Sequence, residues 1–239
     1  MTDPSSYIAI ADGAFAPLYP YYARKILDAT GIQAGICLDV GCGGGHLGLA
    51  LAEQANLEVR LLGQSPQMLQ RADRNIVRRR LQGRVKTICG LVEAIPLQDA
   101  SVELVVSRGS LPFWEDLPAA FHEIARVLRP GGYAYVGGGL GPPELREQIL
   151  RAARRVDPAW RTGPRGNIPQ HPPEHYAQGL ELAGIRSFRI MRGDDGNWIM
   201  FQKPQAAAKR GPSGTGEGEP SSPAGEDVAQ GCRDCPMAL

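Results

Sequence analysis

Cys37-Leu38-Asp39-Val40-Gly41-Cys42-Gly43-Gly44-Gly45 is the stretch that decides how this chain is read. An apolar run carrying one acid empties into a turn with four glycines in five positions, and a helical pattern opens at about His46. Glycine lets the backbone take positive φ and lets a ligand lie against bare main chain at a helix N-terminus. Gly43, Gly45 and Gly48 spell G-x-G-x-x-G, a spacing that dinucleotide sites share. Asp39 points elsewhere. A carboxylate two residues before the first glycine repels a phosphate and attracts an ammonium or sulfonium.

Outward from that turn, short β-rich runs alternate with helical patterns. Strands are expected at Gly35–Val40, Leu57–Leu62, Val85–Cys89, Val102–Ser107 and Gly132–Val136. Helices are expected at Leu47–Gln54, Pro66–Arg80 and Leu117–Leu128, with Pro130-Gly131-Gly132 stopping the last. This alternation implies an α/β fold with a parallel sheet covered on both faces. Ile185–Met191 and Asn197–Lys203 flank Arg192-Gly193-Asp194-Asp195-Gly196, a connection too short for a crossover helix, so an antiparallel hairpin should close the sheet.

Of the 239 residues, 43% are hydrophobic and 21% charged, which excludes a wholly disordered chain. Lys and Arg number 26 against 25 Asp and Glu, so no global field draws the protein to nucleic acid or an acidic membrane. MTDPSSYIAI lacks a basic leader, no apolar run approaches a membrane span, and five scattered cysteines fit no disulfide framework. A cytoplasmic protein is expected. Composition breaks after Pro204: residues 1–204 read as one domain, and 205–239 as a disordered tail rich in Gly, Pro, Ser and Glu. Cys232 and Cys235 in that tail have the spacing of half a zinc site or a redox pair, a route to a metal or a protein partner.

Several segments in order resemble the class I S-adenosylmethionine-dependent methyltransferases, particularly the ubiquinone/menaquinone-biosynthesis type. They are Leu38–Gly45, Ser65-Pro66-Gln67-Met68-Leu69, Glu93-Ala94-Ile95-Pro96-Leu97, Val102–Ser107 and Glu123–Gly132. The likeness covers about Phe15 to Pro204. It implies a Rossmann-like fold with a seven-stranded, mostly parallel sheet in the order 3-2-1-4-5-7-6 and a terminal antiparallel hairpin. It also implies S-adenosyl-L-methionine as cofactor and in-line methyl transfer to a small molecule. The resemblance sets the cofactor against Asp39, Gly41, Cys42, Gly43 and Gly45 of the first loop. Gln64, Ser65 and Met68 should meet it after the second strand, Leu91, Val92 and Glu93 in the next loop, and Ser107 and Arg108 at the end of the fourth.

Two family acids are missing. The ribose acid at the end of the second strand is Gly63 here, and the acid near the adenine amino group is Leu91. A hydrogen bond to a charged group is worth about 1.5–3 kcal/mol, so losing the ribose acid weakens binding roughly 10- to 100-fold. Gln64 is the nearest replacement, and Glu93 lies close to the adenine slot. These losses keep a second hypothesis in view, a cofactor-binding protein that no longer methylates.

Substrate contacts are expected from three segments beyond the carboxyl ends of the strands. They are the N-terminal stretch with Tyr19, Tyr21 and Tyr22; Arg108–Pro118 with Phe113 and Trp114; and the insertion Gly137–Pro173 with Trp160, Arg161, Arg165 and His171. Tyr22, Trp114 and His171 are the chosen contacts. His46 should line the cofactor and His122 should face solvent; no base is assigned. Arg71, Arg74, Arg78, Arg79, Arg80 and Arg84 crowd the third helix, opposed only by Asp73. An RNA methyltransferase would use them as a contact face, but no aromatic residues interleave, so a solvated face with Met68, Ala72 and Ile76 turned inward is preferred. Cys37 and Cys89 read as buried small hydrophobes.

Overall fold

The computed structural model describes residues 4–160 and 171–205. Two N-terminal helices, α1 (Pro4–Asp12) and α2 (Leu18–Thr30), precede the first strand, β1 (Ala34–Val40). Then come α3 (His46–Gln54), β2 (Asn56–Gly63), α4 (Pro66–Arg78), β3 (Val85–Cys89) and β4 (Val102–Arg108). The chain continues through α5 (Leu117–Val127), β5 (Leu128–Gly138), α6 (Pro143–Val156), α7 (Pro173–Leu182), β6 (Phe188–Gly193) and β7 (Gly196–Gln202). One seven-stranded sheet results, in the order β3-β2-β1-β4-β5-β7-β6. Strands β1 to β5 pair in parallel and the last two antiparallel, as the sequence led one to expect.

Period-two alternation sorts the side chains of each strand. Cys37, Val59, Leu61, Leu104 and Val106 face the layer holding α2 and α3, while Leu38, Leu62 and Val105 face the layer holding α5. Central parallel strands buried on both faces need this double apolar supply. The strand ends carrying the glycine loop therefore sit on a rigid core.

Several element ends differ from expectation, four of them for a clear local reason. Helix α4 ends at Arg78 rather than Arg80, because Arg80 takes a left-handed φ of 58°. Strand β5 begins at Leu128 rather than Gly132; a register shift between Val102 and Leu104 absorbs the Pro-Gly-Gly stretch, which Lys203 brackets by bonding Gly131 and Gly132. Ile185 is not in β6, since its N–H bonds the carbonyl of Leu180 and finishes α7 over the left-handed Gly184. The hairpin turn is Asp194-Asp195 alone, with Gly193 paired to Gly196. The stretch read as an insertion also holds a 14-residue helix, α6, and the tyrosine-bearing N-terminus is helical. Among the described residues no helix is long and apolar enough to cross a membrane.

Candidate functional site

Three glycines of the loop after β1 take left-handed φ: Gly41 at 65°, Gly43 at 53° and Gly45 at 79°. Side chains in that region cost roughly 1–2 kcal/mol each. Their surroundings differ. A Cβ on Gly45 would stand 2.6 Å from Leu61 Cδ1, one on Gly48 would meet Leu61 and Val59, and one on Gly41 would run into the Ser110 side chain. At Gly43 the nearest atom is the Met68 methyl, 3.8 Å away. Gly43 is thus where the loop opens. Asn75 of α4 donates to the Gly44 carbonyl (2.9 Å) and Cys42 donates to Leu62 (2.9 Å), which fixes the loop from below.

Asp39 lies under this loop, 2% exposed, and accepts the Gly48 N–H at 2.9 Å. Burial pushes its pKa up to about 7, and the Gly48 bond only partly offsets that. A cation beside it would relieve the cost. Burial also pushes up the thiols of Cys37 and Cys42. Cys89, expected to be buried, is only partly so.

After β2, Ser65 caps α4 by accepting the Met68 N–H at 3.4 Å, with Pro66 at the first helical position. Met68, expected to turn inward, is half-buried; Leu69, Ala72, Asn75 and Ile76 make the buried stripe. Gln64 is exposed, and a Cβ on Gly63 would lie 3.3 Å from Leu69 and 3.6 Å from the Cys42 sulfur. Leu91 is 49% exposed, whereas Val92 packs into the core beside Val40 and Leu62. Glu93 accepts the Glu115 N–H at 3.1 Å and ties the two loops together.

The turn after β4 carries a hydroxyl relay. Ser107 and Ser110 share a 2.6 Å hydrogen bond, Ser110 donates to the Val40 carbonyl, and Trp114 Nε1 donates to Ser110 Oγ at 3.0 Å. Arg108 turns toward the N-terminal helices, over the rings of Phe15, Tyr19 and Tyr22. Tyr22 is fully buried; its hydroxyl accepts the Gly141 N–H (2.8 Å) and donates to the Asp195 carbonyl, and burial lifts its pKa to about 12. His171 stacks on His175 at 4.4 Å beside Tyr176, at the start of α7. Among its described contacts none reaches the glycine loop.

His46 opens α3, stacks on Tyr19 at 4.7 Å and bonds Asp12 at 2.8 Å. Burial, then the charges of Arg79, Arg108 and Arg78, lower its pKa to about 4, so a neutral ring donates to Asp12. Arg71 pairs with the same carboxylate. Asp12 thus straps α1 across the glycine loop to α4. This strap, together with Asn75, Ser110 and Phe15, escaped the sequence reading. Asn75 alone had a signal, a polar residue on the inner stripe of a helix. The arginine run is better partnered than expected: Arg79 pairs with Glu53, Arg84 bonds the carbonyls of Ala55 and Leu57, and Asp73 accepts from Thr87. His122 is exposed. Arg161, Arg165, Cys232 and Cys235 lie outside the described residues, and among the described ones no three His, Cys, Asp or Glu side chains could hold a metal.

Known proteins place this geometry. A family profile described as "Methyltransferase domain" matches residues 38–136. A crystal structure from Methanococcus maripaludis, presented as a candidate S-adenosyl-L-methionine-dependent methyltransferase, is 40% identical, covers 85% of this chain and 92% of its own, and superposes with a TM-score of 0.77. A malonyl-[acyl-carrier protein] O-methyltransferase of Methylovorus is 40% identical over 55% of this chain, and that of Dechloromonas aromatica is 31% identical over 70%. The chain spans 45% and 64% of the length of these two. A 2-methyl-6-phytyl-1,4-hydroquinone methyltransferase of Oryza sativa is 30% identical over 65% of this chain and 42% of its own. The near-complete match to the Methanococcus structure, on a fold with this strand order, establishes that the chain belongs to the S-adenosyl-L-methionine-dependent methyltransferase family.

Proposed function

We propose that the chain transfers a methyl group from S-adenosyl-L-methionine to a small organic acceptor in the crevice between the Gly43 loop and the turn after β4. The observation that carries this reading is a buried carboxylate, Asp39, with no cationic partner among the described residues, beneath a loop whose one open glycine is Gly43. A ligand with a cationic end suits that carboxylate, and Gly43 leaves room for it against bare backbone. Asp39, Gly43 and the Met68 flank would hold the methionine half; Gln64 and the exposed Leu91 would lie along the nucleoside.

Bound there, the cofactor supplies a methyl group already activated on a sulfonium, with a neutral thioether as leaving group. The protein's remaining task is positioning. Ser110 ties the turn after β4 to the end of β1, and Glu93 ties it to the loop after β3, so the crevice walls are fixed relative to one another. An acceptor that is already anionic needs no base. Two of the curated relatives are named malonyl-[acyl-carrier protein] O-methyltransferases, and a third is named for a hydroquinone. Oxygen is accordingly the favoured acceptor atom.

Gly63 favours one competing reading, a binding protein without turnover, because no side chain at that position meets the ribose. Calorimetry with S-adenosylmethionine and S-adenosylhomocysteine tests the site, and mass spectrometry of malonyl-thioester and hydroquinone acceptors tests turnover. Micromolar binding with a gain of one methyl is expected. Binding without turnover on any acceptor supports the competing reading, and no binding at millimolar ligand refutes both.

A further inference from the structure

Arg108 and Arg126 show how differently this chain treats a guanidinium. Arg126 has acids and carbonyls on every side: Glu123, Asp99 and the carbonyls of Leu97 and Ile95. Among the described residues Arg108 makes one hydrogen bond, from Nη2 to the Gly139 carbonyl at 3.0 Å. Its Nε is buried and unpartnered. No acid among the described residues pairs with it: Asp195 is taken by Tyr21 and Lys25, Asp12 by His46 and Arg71, and Asp39 by the Gly48 N–H. In place of an anion it has three aromatic rings, Phe15, Tyr19 and Tyr22, at 5.0, 5.4 and 5.8 Å from the guanidinium carbon.

Such rings stabilise a cation through their faces yet accept none of its five in-plane N–H bonds. A guanidinium held in an aromatic box, rigid, charged and short of acceptors, is preorganised for a planar oxyanion. Its position fits a ligand-facing role. It ends β4, beside β1 at the centre of the sheet, and it leads into the turn that forms one wall of the crevice. On these grounds we propose that Arg108 is the carboxylate receptor of the crevice. The inference rests on the methyl-transfer reading for its location only. Two carboxylates could occupy it, one on the methyl acceptor and one on the methionine end of the cofactor.

The experiment compares wild type with Arg108→Leu and Arg108→Lys by calorimetry. In one arm S-adenosylhomocysteine is set against 5′-methylthioadenosine, which lacks the carboxylate-bearing end. In the other, malonate is titrated into the protein, both unliganded and saturated with S-adenosylhomocysteine. A cofactor-borne carboxylate predicts that Arg108→Leu weakens S-adenosylhomocysteine about 10- to 100-fold while methylthioadenosine is unchanged. An acceptor-borne one predicts that S-adenosylhomocysteine is unchanged while millimolar malonate binding to the complex is lost. Arg108→Lys keeps the charge without the planar fork and should fold with an intermediate loss, which decides the matter if the leucine variant fails to fold. Unchanged affinities in both arms would overturn the proposal and leave Arg108 a structural plug. Wild type that ignores S-adenosylhomocysteine would instead overturn the methyl-transfer reading, and malonate with the unliganded chain would still decide on Arg108.

Discussion

The loop after β1 and the glycine-rich stretch that ends β5 and runs on toward α6 look alike on paper. Each carries four glycines in five positions, Gly41, Gly43, Gly44 and Gly45 in one and Gly137, Gly138, Gly139 and Gly141 in the other, and each hands the chain to a helix. Their surroundings are opposite. Around the second loop, added Cβ atoms would strike backbone: Asn197 O and Trp198 Cα at Gly137, Asp195 O and Gly196 Cα at Gly139. Those glycines exist so that the terminal hairpin can lie against β5. Around the first, a Cβ on Gly43 would meet only the Met68 methyl, 3.8 Å away. A glycine run therefore announces a close approach, and only the atoms around it say whether another part of the chain or a ligand makes that approach.

The comparison breaks most readily at Gly137. Gly137→Ala forces a side chain onto the backbone of β7 at a φ of 154° and should cost about 3 kcal/mol or more, a melting drop of roughly 6–12 °C. A variant that melts like wild type would show that the second loop is not packed solid. Gly43→Ala should reverse the balance, costing only about 1–2 kcal/mol of stability but ten-fold or more in S-adenosylhomocysteine affinity by calorimetry. Equal losses at both loops would erase the distinction.

Asp39→Asn sharpens the ligand side. It should weaken the cofactor about ten-fold while leaving the melting temperature at pH 8 unchanged or raised. The sign follows from the raised pKa: the folded carboxylate holds its proton to about pH 7 and the unfolded one to about 4. Its contribution to stability is thus fully present below about pH 4, declines up to about pH 7 and stays at its least favourable above. A cationic ligand prefers the ionised form, so affinity should rise up to ten-fold per unit between about pH 5 and 7. The Asn variant should lose that slope, and a slope that survives would detach Asp39 from the ligand. Gly63→Asp is a smaller effect of opposite sign. With Leu69 giving by a few tenths of an ångström, a restored ribose acceptor should tighten S-adenosylhomocysteine several-fold. Weaker binding would mean that Gly63 gives the ribose room. Truncation after Gln205 should change affinity least of all, within two-fold, if residues 1–204 are the complete binding domain.

The alternation of strands and helices and the first glycine loop could be read from Leu38–Gly45 and the spacing of the apolar runs, because those patterns are local; the strand order came with the family resemblance. What escaped was non-local. Asp12 shows no periodicity linking it to His46 or Arg71, which lie 34 and 59 residues away. Ser110 looks like any turn serine until it is seen against Gly41. Helix α6 was hidden in a supposed insertion because it buries only Ile149 and Ala153, too narrow a stripe to register as a pattern. Tyr22 read as a pocket aromatic, and the structure seals it beneath the second glycine loop.

The two-residue turn of the terminal hairpin has a consequence in time. Asp195 takes the hydroxyl of Tyr21, the ammonium of Lys25 and, through its carbonyl, the hydroxyl of Tyr22, so the turn grips a helix made 170 or more residues earlier. During synthesis at about 5–20 residues per second, α2 waits roughly 9–35 s for these partners to be made. Until then the hydroxyls of Tyr21 and Tyr22 and the ammonium of Lys25 lack these partners. A ribosome stalled before Asp194 would carry a chain whose sheet can begin to form but whose α2 is still without these partners, open to proteases and chaperones at the end that was made first.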